Sequence, residues 1–489
     1  MAGRRGISVP SGDVRGNHIL VMCDAELGGS LVEIVSRCPE DVATLFGYPD
    51  VSEAPLTMTA VHSSSADPVV IVGGGFGGVA AARALRDTKA QVILIDRVNH
   101  HLFQPLLYQV ATAALSPDDI AWPLRLLFRS QENVRVILDE VTCVDRAAQC
   151  LTLLHGGLLS YGSLILSPGS RHSYFGHDEW EADAPGLKTL PDALELRERM
   201  LMAFETAERS NGPEEVREQL TFVIVGGGPT GVELAGALAE IGRKAMAPDF
   251  QVLHKAEFRI LLLEGGGRLL EAFPPDLSSK AQASLERLGV TVRLNSRVQQ
   301  VSSKGVVAGS EFIPSAHVIW AAGNAASPLV GLLGAPLDQL GRVMVQPDLS
   351  LRGDPWVFVI GDAAHCADGT GKALPGLAPV AMQEGQYVAD IIARHIPPAH
   401  RKPFLYRDRG ILATIGRAKA VARLGPLSLS GVLAWLAWCF IHIFFLIGFR
   451  NRFRVMFEWI WYYVTFKPGA RLIYWTDRPH KRNEGGRIP

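Results

Sequence analysis

The chain is poor in cysteine, with six in 489 residues, at positions 23, 38, 143, 150, 366 and 439. None forms a C-x-x-C or C-x-x-x-x-C pair; Cys143 and Cys150, the nearest two, have six residues between them. A disulfide scaffold is excluded on that count. No two-plus-two Cys/His spacing suggests a zinc site, and no metal is expected. The cysteines read as small hydrophobes in a reducing compartment. An apolar stretch after Arg4 and Arg5 is also missing, so no signal peptide is expected. Nor is there an excess of charge: 48% of residues are hydrophobic and 20% charged, which fits a globular chain rather than a disordered one. The length allows about three domains.

The net charge of −1 hides an asymmetry. Residues 401–489 hold 16 Lys+Arg against 4 Asp+Glu, whereas the remainder holds 32 against 45. A basic end beside an acidic body points to an anionic partner surface. The aromatic composition described below favours lipid, so no nucleic acid is expected. Residues 1–67 show little periodicity and read as an N-terminal extension without assigned role. Ala60–Pro68 reads as a linker, and Met58 offers an alternative start ten residues ahead of the first strand.

Glycine, by contrast, is abundant, and two clusters of it carry chemistry. Val69–Val72 is a β-branched strand followed at once by Gly73-Gly-Gly75-Phe76-Gly-Gly78 and an Ala-rich helical run. In such a G-x-G-x-x-G turn Gly73 permits the bend, Gly75 lets backbone reach a pyrophosphate, and Gly78 lets helix and strand pack closely. The phosphate then meets free N–H groups at a helix N-terminus. The next strand, Val92–Asp96, ends in an acid 18 residues past Gly78, placed to accept hydrogen bonds from a ribose. Phe76 and Arg97 are counted with this site.

The arrangement recurs downstream. Thr221–Val225 leads into Gly226-Gly-Gly228-Pro229-Thr-Gly231 and another helix. Arg259–Leu263 runs into Glu264, here 33 residues past Gly231, with 241–257 expected to absorb the excess as helix extension plus loop. Glu264 opposes a 2′-phosphate, so NADH is expected over NADPH. Two such loops imply two nucleotides, FAD and a nicotinamide, between which a hydride can pass.

With these motifs the chain resembles the two-dinucleotide-binding-domain flavoproteins, and more closely the type II, non-proton-pumping NADH:quinone oxidoreductases, over about residues 68–475. Asn99–Thr112, with Gln104, Pro105 and Leu106, resembles the stretch that lies beside the isoalloxazine in that family. Tyr161–Gly169 resembles the strand leaving the FAD domain, and Val318–Gly323, with Ala322, the return from the NADH domain. Val357–Ala364 resembles the segment that closes over FAD, which would put Gly361 and Asp362 on the ribityl chain. Leu377–Tyr387 resembles the helix facing flavin and quinone, with Ala381 and Gln383. The family's A-Q-x-A-x-Q pattern is broken there by Pro379 at its first Gln, which removes one polar contact. Phe204–Glu208 resembles an acidic helix from which Glu205 approaches the nicotinamide. Glu233 is read as packing or capping support. The resemblance implies Glu205 and Gln383 as catalytic, and FAD held without a covalent link.

Residues 431–449 contain one polar side chain, His442, and by length alone could cross a bilayer. His442 reads either as a helix-packing residue or as a quinone contact. Phe453–Phe466 interleaves Arg454 and Glu458 with Trp and Tyr, residues that favour the interface. The resemblance implies helices that anchor to one leaflet without crossing, on the cytoplasmic face of the inner membrane. The expected fold is α/β: two Rossmann-like domains, with an FAD domain (68–180 and 325–400) split by an NADH domain (181–324), then a C-terminal helical membrane-anchoring and homodimer region (401–489). The expected activity is ping-pong transfer from NADH through flavin to membrane quinone, as in a respiratory chain. Two alternatives stay open: a sulfide:quinone oxidoreductase using Cys143, Cys150 or Cys366, and a flavin- and NADH-binding redox sensor that does not turn over quinone.

Overall fold

The computed structural model describes residues 67–246, 248–252, 257–465 and 471–473. The extension read over residues 1–67 lies, but for Asp67, outside the described residues. The chain first forms β1 (Val69–Val72), α1 (Phe76–Ala84), β2 (Val92–Asp96), β3 (Val134–Leu138) and β4 (Ser163–Leu166). It continues through α2 (Leu190–Arg209), β5 (Thr221–Val225), α3 (Pro229–Glu240), β6 (Arg259–Leu263), β7 (Val290–Arg293) and β8 (His317–Trp320). It then returns through β9 (Asp354–Val359) and α4 (Ala378–Ala393). Last come strands β10 (Ile411–Gly416), β11 (Lys419–Leu424) and β12 (Leu427–Gly431), and helices α5 (Val432–Phe445) and α6 (Phe449–Thr465).

Two parallel sheets organise these elements. The first has the order β9–β4–β1–β2–β3, with a two-residue antiparallel strand, Ser350–Leu351, outside β9. The second has the order β7–β6–β5–β8. Strand β9 joins the first sheet after the whole second sheet has formed, so the first unit is split in sequence. β1 and β5 are buried along their entire length, which is why they read as unbroken apolar runs rather than alternating ones. In each sheet the chain order reverses beside β1 or β5, and a crevice opens there at the strand C-termini. The chain crosses between the two units at Ser170–His172 and Asn324–Ala326, and the two crossings pair with each other as an antiparallel ribbon.

The C-terminal strands β10–β12 form an antiparallel sheet against α3. The Glu233 carboxylate accepts the Thr414 N–H at 3.2 Å, and Glu240 accepts the Arg417 N–H at 2.7 Å. Beyond this sheet the apolar run does not make one long helix. Helix α5 stops at Phe445, and Gly448 turns the chain with φ +88°. Its 14 residues span about 21 Å at 1.5 Å each, short of the roughly 30 Å of bilayer hydrocarbon. No helix among the described residues is long and apolar enough to cross a membrane. Instead α5 is two-faced. Ala434 and Trp438 are buried, whereas Val432, Leu436, Phe440 and Phe444, four residues apart, are exposed. Helix α6 repeats the pattern, with Val455 and Trp459 inward and Phe453, Phe457 and Trp461 outward. It is latched to the Ser116–Ile120 turn: Asn451 Nδ2 donates to the carbonyls of Asp118 and Asp119 at 3.1 and 3.2 Å, and Arg454 pairs with Asp119 at 2.9 Å.

Candidate active site

Both glycine turns fold as their spacing requires, and they fold alike. Gly73 has φ +103° and Gly226 φ +112°, values L-residues rarely adopt. A Cβ on Gly78 would lie 1.9 Å from the Gly73 carbonyl oxygen, and one on Gly231 equally close to that of Gly226. At Gly75 and Gly228, however, a Cβ would meet nothing within 4 Å. Those residues are the N-caps of α1 and α3, and neither helix has a side-chain cap or an acid in its first turn. Each turn therefore presents bare backbone and unfilled N–H donors to the crevice, a cradle suited to a pyrophosphate.

The expected acids hold these turns from below. Asp96 Oδ2 accepts the Gly74 N–H at 2.5 Å and Oδ1 accepts Val98 N–H at 2.8 Å. Glu264 Oε2 accepts the Gly227 N–H and Oε1 the Gly266 N–H, both at 2.6 Å. Burial raises the Asp96 carboxyl above the usual range, and the backbone donors partly offset it. Behind the first turn, His101 donates from Nδ1 to the Gly74 carbonyl at 2.9 Å. Burial drives its imidazole down to about 4, so the ring is neutral at pH 7. Phe76, at the start of α1, meets the edge of His101 at 5.0 Å and of Phe103 at 6.0 Å. Arg97, next to the clamp, is exposed.

The segments singled out around the flavin converge on one side of the first turn. Gly361 (φ +70°) donates its N–H to Glu384 at 2.5 Å. Asp362 Oδ2 accepts the Ser170 hydroxyl at 2.6 Å, one residue past Gly169. A cavity of about 110 Å³ opens here, lined by Ser170, Asn324, Arg342, Asp362, Gly376 and Glu384 among others. Ala381 packs beneath it, its methyl 3.3 Å from where a Gly361 Cβ would stand. Gln104 Nε2 reaches the Lys188 carbonyl at 3.4 Å across the inter-domain crossing, beside Pro105 at the first turn of a short 3-10 helix. Leu106 is fully buried in the core. Ala322 and Gly323 follow β8, as the corresponding residues follow β4, and Pro229 occupies the first turn of α3.

The two residues expected to be catalytic do not line that cavity. Gln383 spends its amide on the backbone of Arg407, donating to the carbonyl at 3.1 Å and accepting the N–H at 3.0 Å. Glu205 stands on the exposed face of α2. Its neighbour Glu208 accepts the Val252 N–H at 2.9 Å.

Two acids draw attention that the sequence does not give them. Glu384 is 1% exposed, and burial pushes its carboxyl up to about 8. Glu233 is buried at the fifth residue of α3, its carboxyl also pushed to about 8 by burial despite the Thr414 N–H. Trp438 turns its indole N–H toward that carboxyl without closing a hydrogen bond. His442 proves to be a packing residue. It stacks on Trp438 at 4.2 Å, bonds through Nδ1 to the Trp438 carbonyl at 2.7 Å, and is held near 4 by burial. The four cysteines among the described residues form no disulfide, and burial pushes the Cys366 thiol up to about 12.

Glu233 sets a testable pH dependence. Its carboxyl ionises near 4.5 in the unfolded chain and near 8 when folded. Between those values only the unfolded state loses the proton, so folding stability falls as pH rises through that window. Glu233→Gln, which keeps an acceptor for Thr414, removes this loss. Its Tm is expected to drop less than the native Tm between about pH 5 and pH 8, by at least about 3 °C. Parallel Tm profiles would contradict the assignment.

Residues 67–385 match the family described as pyridine nucleotide-disulphide oxidoreductase, and residues 409–465 match the NDH2 C-terminal domain. The type II NADH:quinone oxidoreductase NdhA of Mycobacterium tuberculosis is 44% identical over 408 residues, covering 80% of this chain and 86% of the relative. The type II NADH:quinone oxidoreductase Ndh of the same organism is 42% identical over 425 residues, covering 84% and 90%. Among solved structures, NDH2 of Plasmodium falciparum in complex with NADH superposes with a TM-score of 0.76 at 21% identity, covering 83% of this chain and 99% of that one. The sulfide:quinone oxidoreductase of Aquifex aeolicus shares the fold at a TM-score of 0.64 and 17% identity, over 79% and 92%. With family models covering both glycine turns and the C-terminal helices, and relatives this similar over most of its length, the chain belongs to the type II NADH:quinone oxidoreductases.

Proposed function

We propose that this enzyme holds FAD without a covalent link in the unit formed by residues 68–180 and 325–400, binds NADH on residues 181–324, and delivers electrons to a quinone at a membrane surface met by residues 401–489. The observation that carries the reading is the duplicated turn: two pyrophosphate cradles, each held by its own acid, in a chain without a cysteine pair. Bound FAD would take a hydride from NADH and pass two electrons on to quinone.

The protein's part is placement, which can supply roughly 7–11 kcal/mol of a barrier. The Gly73–Gly78 turn would seat the FAD pyrophosphate and the Gly226–Gly231 turn that of NADH. The charge of Glu264 disfavours a 2′-phosphate. Asp362, fixed by Ser170, would hold the ribityl chain. Glu205 would border the nicotinamide, as in the family pattern. Gln383 would act on the quinone side through the Arg407 segment that it clamps.

The outward stripes of α5 and α6 support attachment to one leaflet, which we assign to the cytoplasmic face of the inner membrane. Neither helix, over its described residues, is long and apolar enough to cross a membrane, and each presents large apolar side chains at four-residue spacing. A sulfide-oxidising alternative finds little support. Cys143 and Cys150 sit on neighbouring strands of a meander and form no disulfide, and the Cys366 thiol, raised to about 12, is a poor nucleophile.

Anaerobic stopped-flow on the detergent-purified protein tests the activity. NADH is expected to bleach the flavin band rapidly, and a short-chain quinone to restore it. NADPH should be at least about tenfold less efficient, and sulfide inert. Bleaching by sulfide would move the enzyme to the sulfide class, and bleaching without recovery by quinone would favour a sensor.

Co-sedimentation with anionic liposomes tests the attachment. The triple variant Leu433→Gln, Phe440→Gln, Phe457→Gln alters only exposed positions. It should partition at least about tenfold more weakly, with Tm unchanged. Undiminished binding would rule out these stripes as the docking face.

A further inference from the structure

Lys188 joins three of the segments assigned above to the flavin, those of Gln104, Ser170 and, through Ser170, Asp362. Its N–H is fixed by Asp192 Oδ2 at 2.9 Å, just ahead of the Thr189 cap of α2. Its carbonyl accepts Gln104 Nε2 at 3.4 Å. Its ammonium donates to the Ser170 hydroxyl at 2.6 Å, and that hydroxyl donates to Asp362 at 2.6 Å. Residues far apart in the chain thus meet on one lysine: Gln104, in the stretch expected beside the isoalloxazine, at its carbonyl, and Ser170, with Asp362 behind it, at its ammonium. Burial pulls the ammonium below the usual lysine range while the Asp362 carboxylate holds it up.

A hydride leaving NADH as NAD⁺ carries two electrons and one proton to the flavin, which therefore gains one negative charge. A fixed cation beside the flavin favours that product. Removing the cation leaves Asp362 unbalanced and makes the local field more negative by one unit. The sign of the effect is the same whichever edge of the flavin lies nearer. A unit charge within about 10 Å, at an effective dielectric near 20, shifts an equilibrium by on the order of tenfold.

We propose that Lys188 sets the reduction potential of the flavin: its ammonium, seated by Ser170 against Asp362, supplies the positive charge that stabilises the reduced cofactor. The proposal rests on the FAD reading above and extends it to a residue with no place in the glycine-turn motifs.

The test uses full-length holoprotein in detergent, with flavin content, midpoint potential by dye-coupled reductive titration, and Tm measured together. Lys188→Met keeps the length of the side chain and removes the charge. It is expected to retain flavin and to lower the two-electron potential by the equivalent of about tenfold, roughly 30 mV. Lys188→Arg should restore at least half of that shift. A native potential in Lys188→Met with a lowered Tm would overturn the proposal and leave Lys188 a strap between α2 and the flavin unit. Should Lys188→Met lose its flavin, Ser170→Ala decides: it unseats the ammonium while keeping the residue, and an unaltered potential there contradicts the proposal. Native protein purified without any flavin would instead refute the FAD reading itself.

Discussion

A carboxylate gripping the backbone N–H of a glycine turn is the interaction on which the rest of the site depends. Asp96 does this at Gly74 and Glu264 at Gly227. Hydrogen bonds to a charged partner contribute about 1.5–3 kcal/mol each, and they act where the chain must hold an unusual conformation. Both turns need positive φ at their first glycine and near-contact between backbone atoms at their last. The acid at the end of the neighbouring strand closes that geometry, and in doing so carries its charge to the rim of the cradle. One acid in each unit thus fixes its loop and, on the proposed reading, would also bias which nucleotide the loop accepts.

The two clamped units are joined by surfaces that also reach the C-terminal helices. Phe76 touches Phe103, Phe103 meets His442 at 6.2 Å, His442 stacks on Trp438, and Trp438 lies 5.2 Å from Trp459. Trp459 in turn donates its indole N–H to Gln109 at 2.8 Å, inside the stretch expected beside the flavin. The inner faces of α5 and α6 are therefore packed onto the redox unit, while their outer faces carry exposed Phe and Trp. A lipid-soluble substrate approaching those outer faces would be brought within a few side chains of the first glycine turn. Rigid packing of this kind keeps that distance short, because aromatic pairs add to burial energy.

Much of this was legible in the residues. The strands before each glycine turn, the turns, and the acids that follow are local or semi-local patterns, and each appears where its spacing puts it. The split of the first unit was legible from Val357–Ala364, which pairs back onto β4. What was not legible depends on long-range placement. Nothing near Lys188 in the sequence indicates that its ammonium will meet Ser170 and, through it, Asp362. Glu384 has a faint signal, an acid on the apolar face of α4 in register with Val380 and Val388. Glu233 reads as helix support, yet the hairpin at Thr414 buries it. The apolar run 431–449 looked long enough to span, but Gly448 ends the continuity that length alone suggested. Gln383 carries a motif position, yet its amide is satisfied by Arg407, a partner that periodicity does not reveal.

The central claim is that the two glycine turns are alike in build but hold different nucleotides, FAD first and NADH second. The most direct measurement compares Gly78→Ala with Gly231→Ala, since each places a Cβ 1.9 Å from a backbone carbonyl in one turn only. Flavin content is read after purification, and NADH-driven bleaching in anaerobic titration. The account predicts that Gly78→Ala is purified largely without flavin. It predicts that Gly231→Ala keeps its flavin, still reducible by dithionite, but needs at least about tenfold more NADH to bleach it. Flavin lost from Gly231→Ala and retained in Gly78→Ala, or NADH affinity unchanged in Gly231→Ala, would contradict the account.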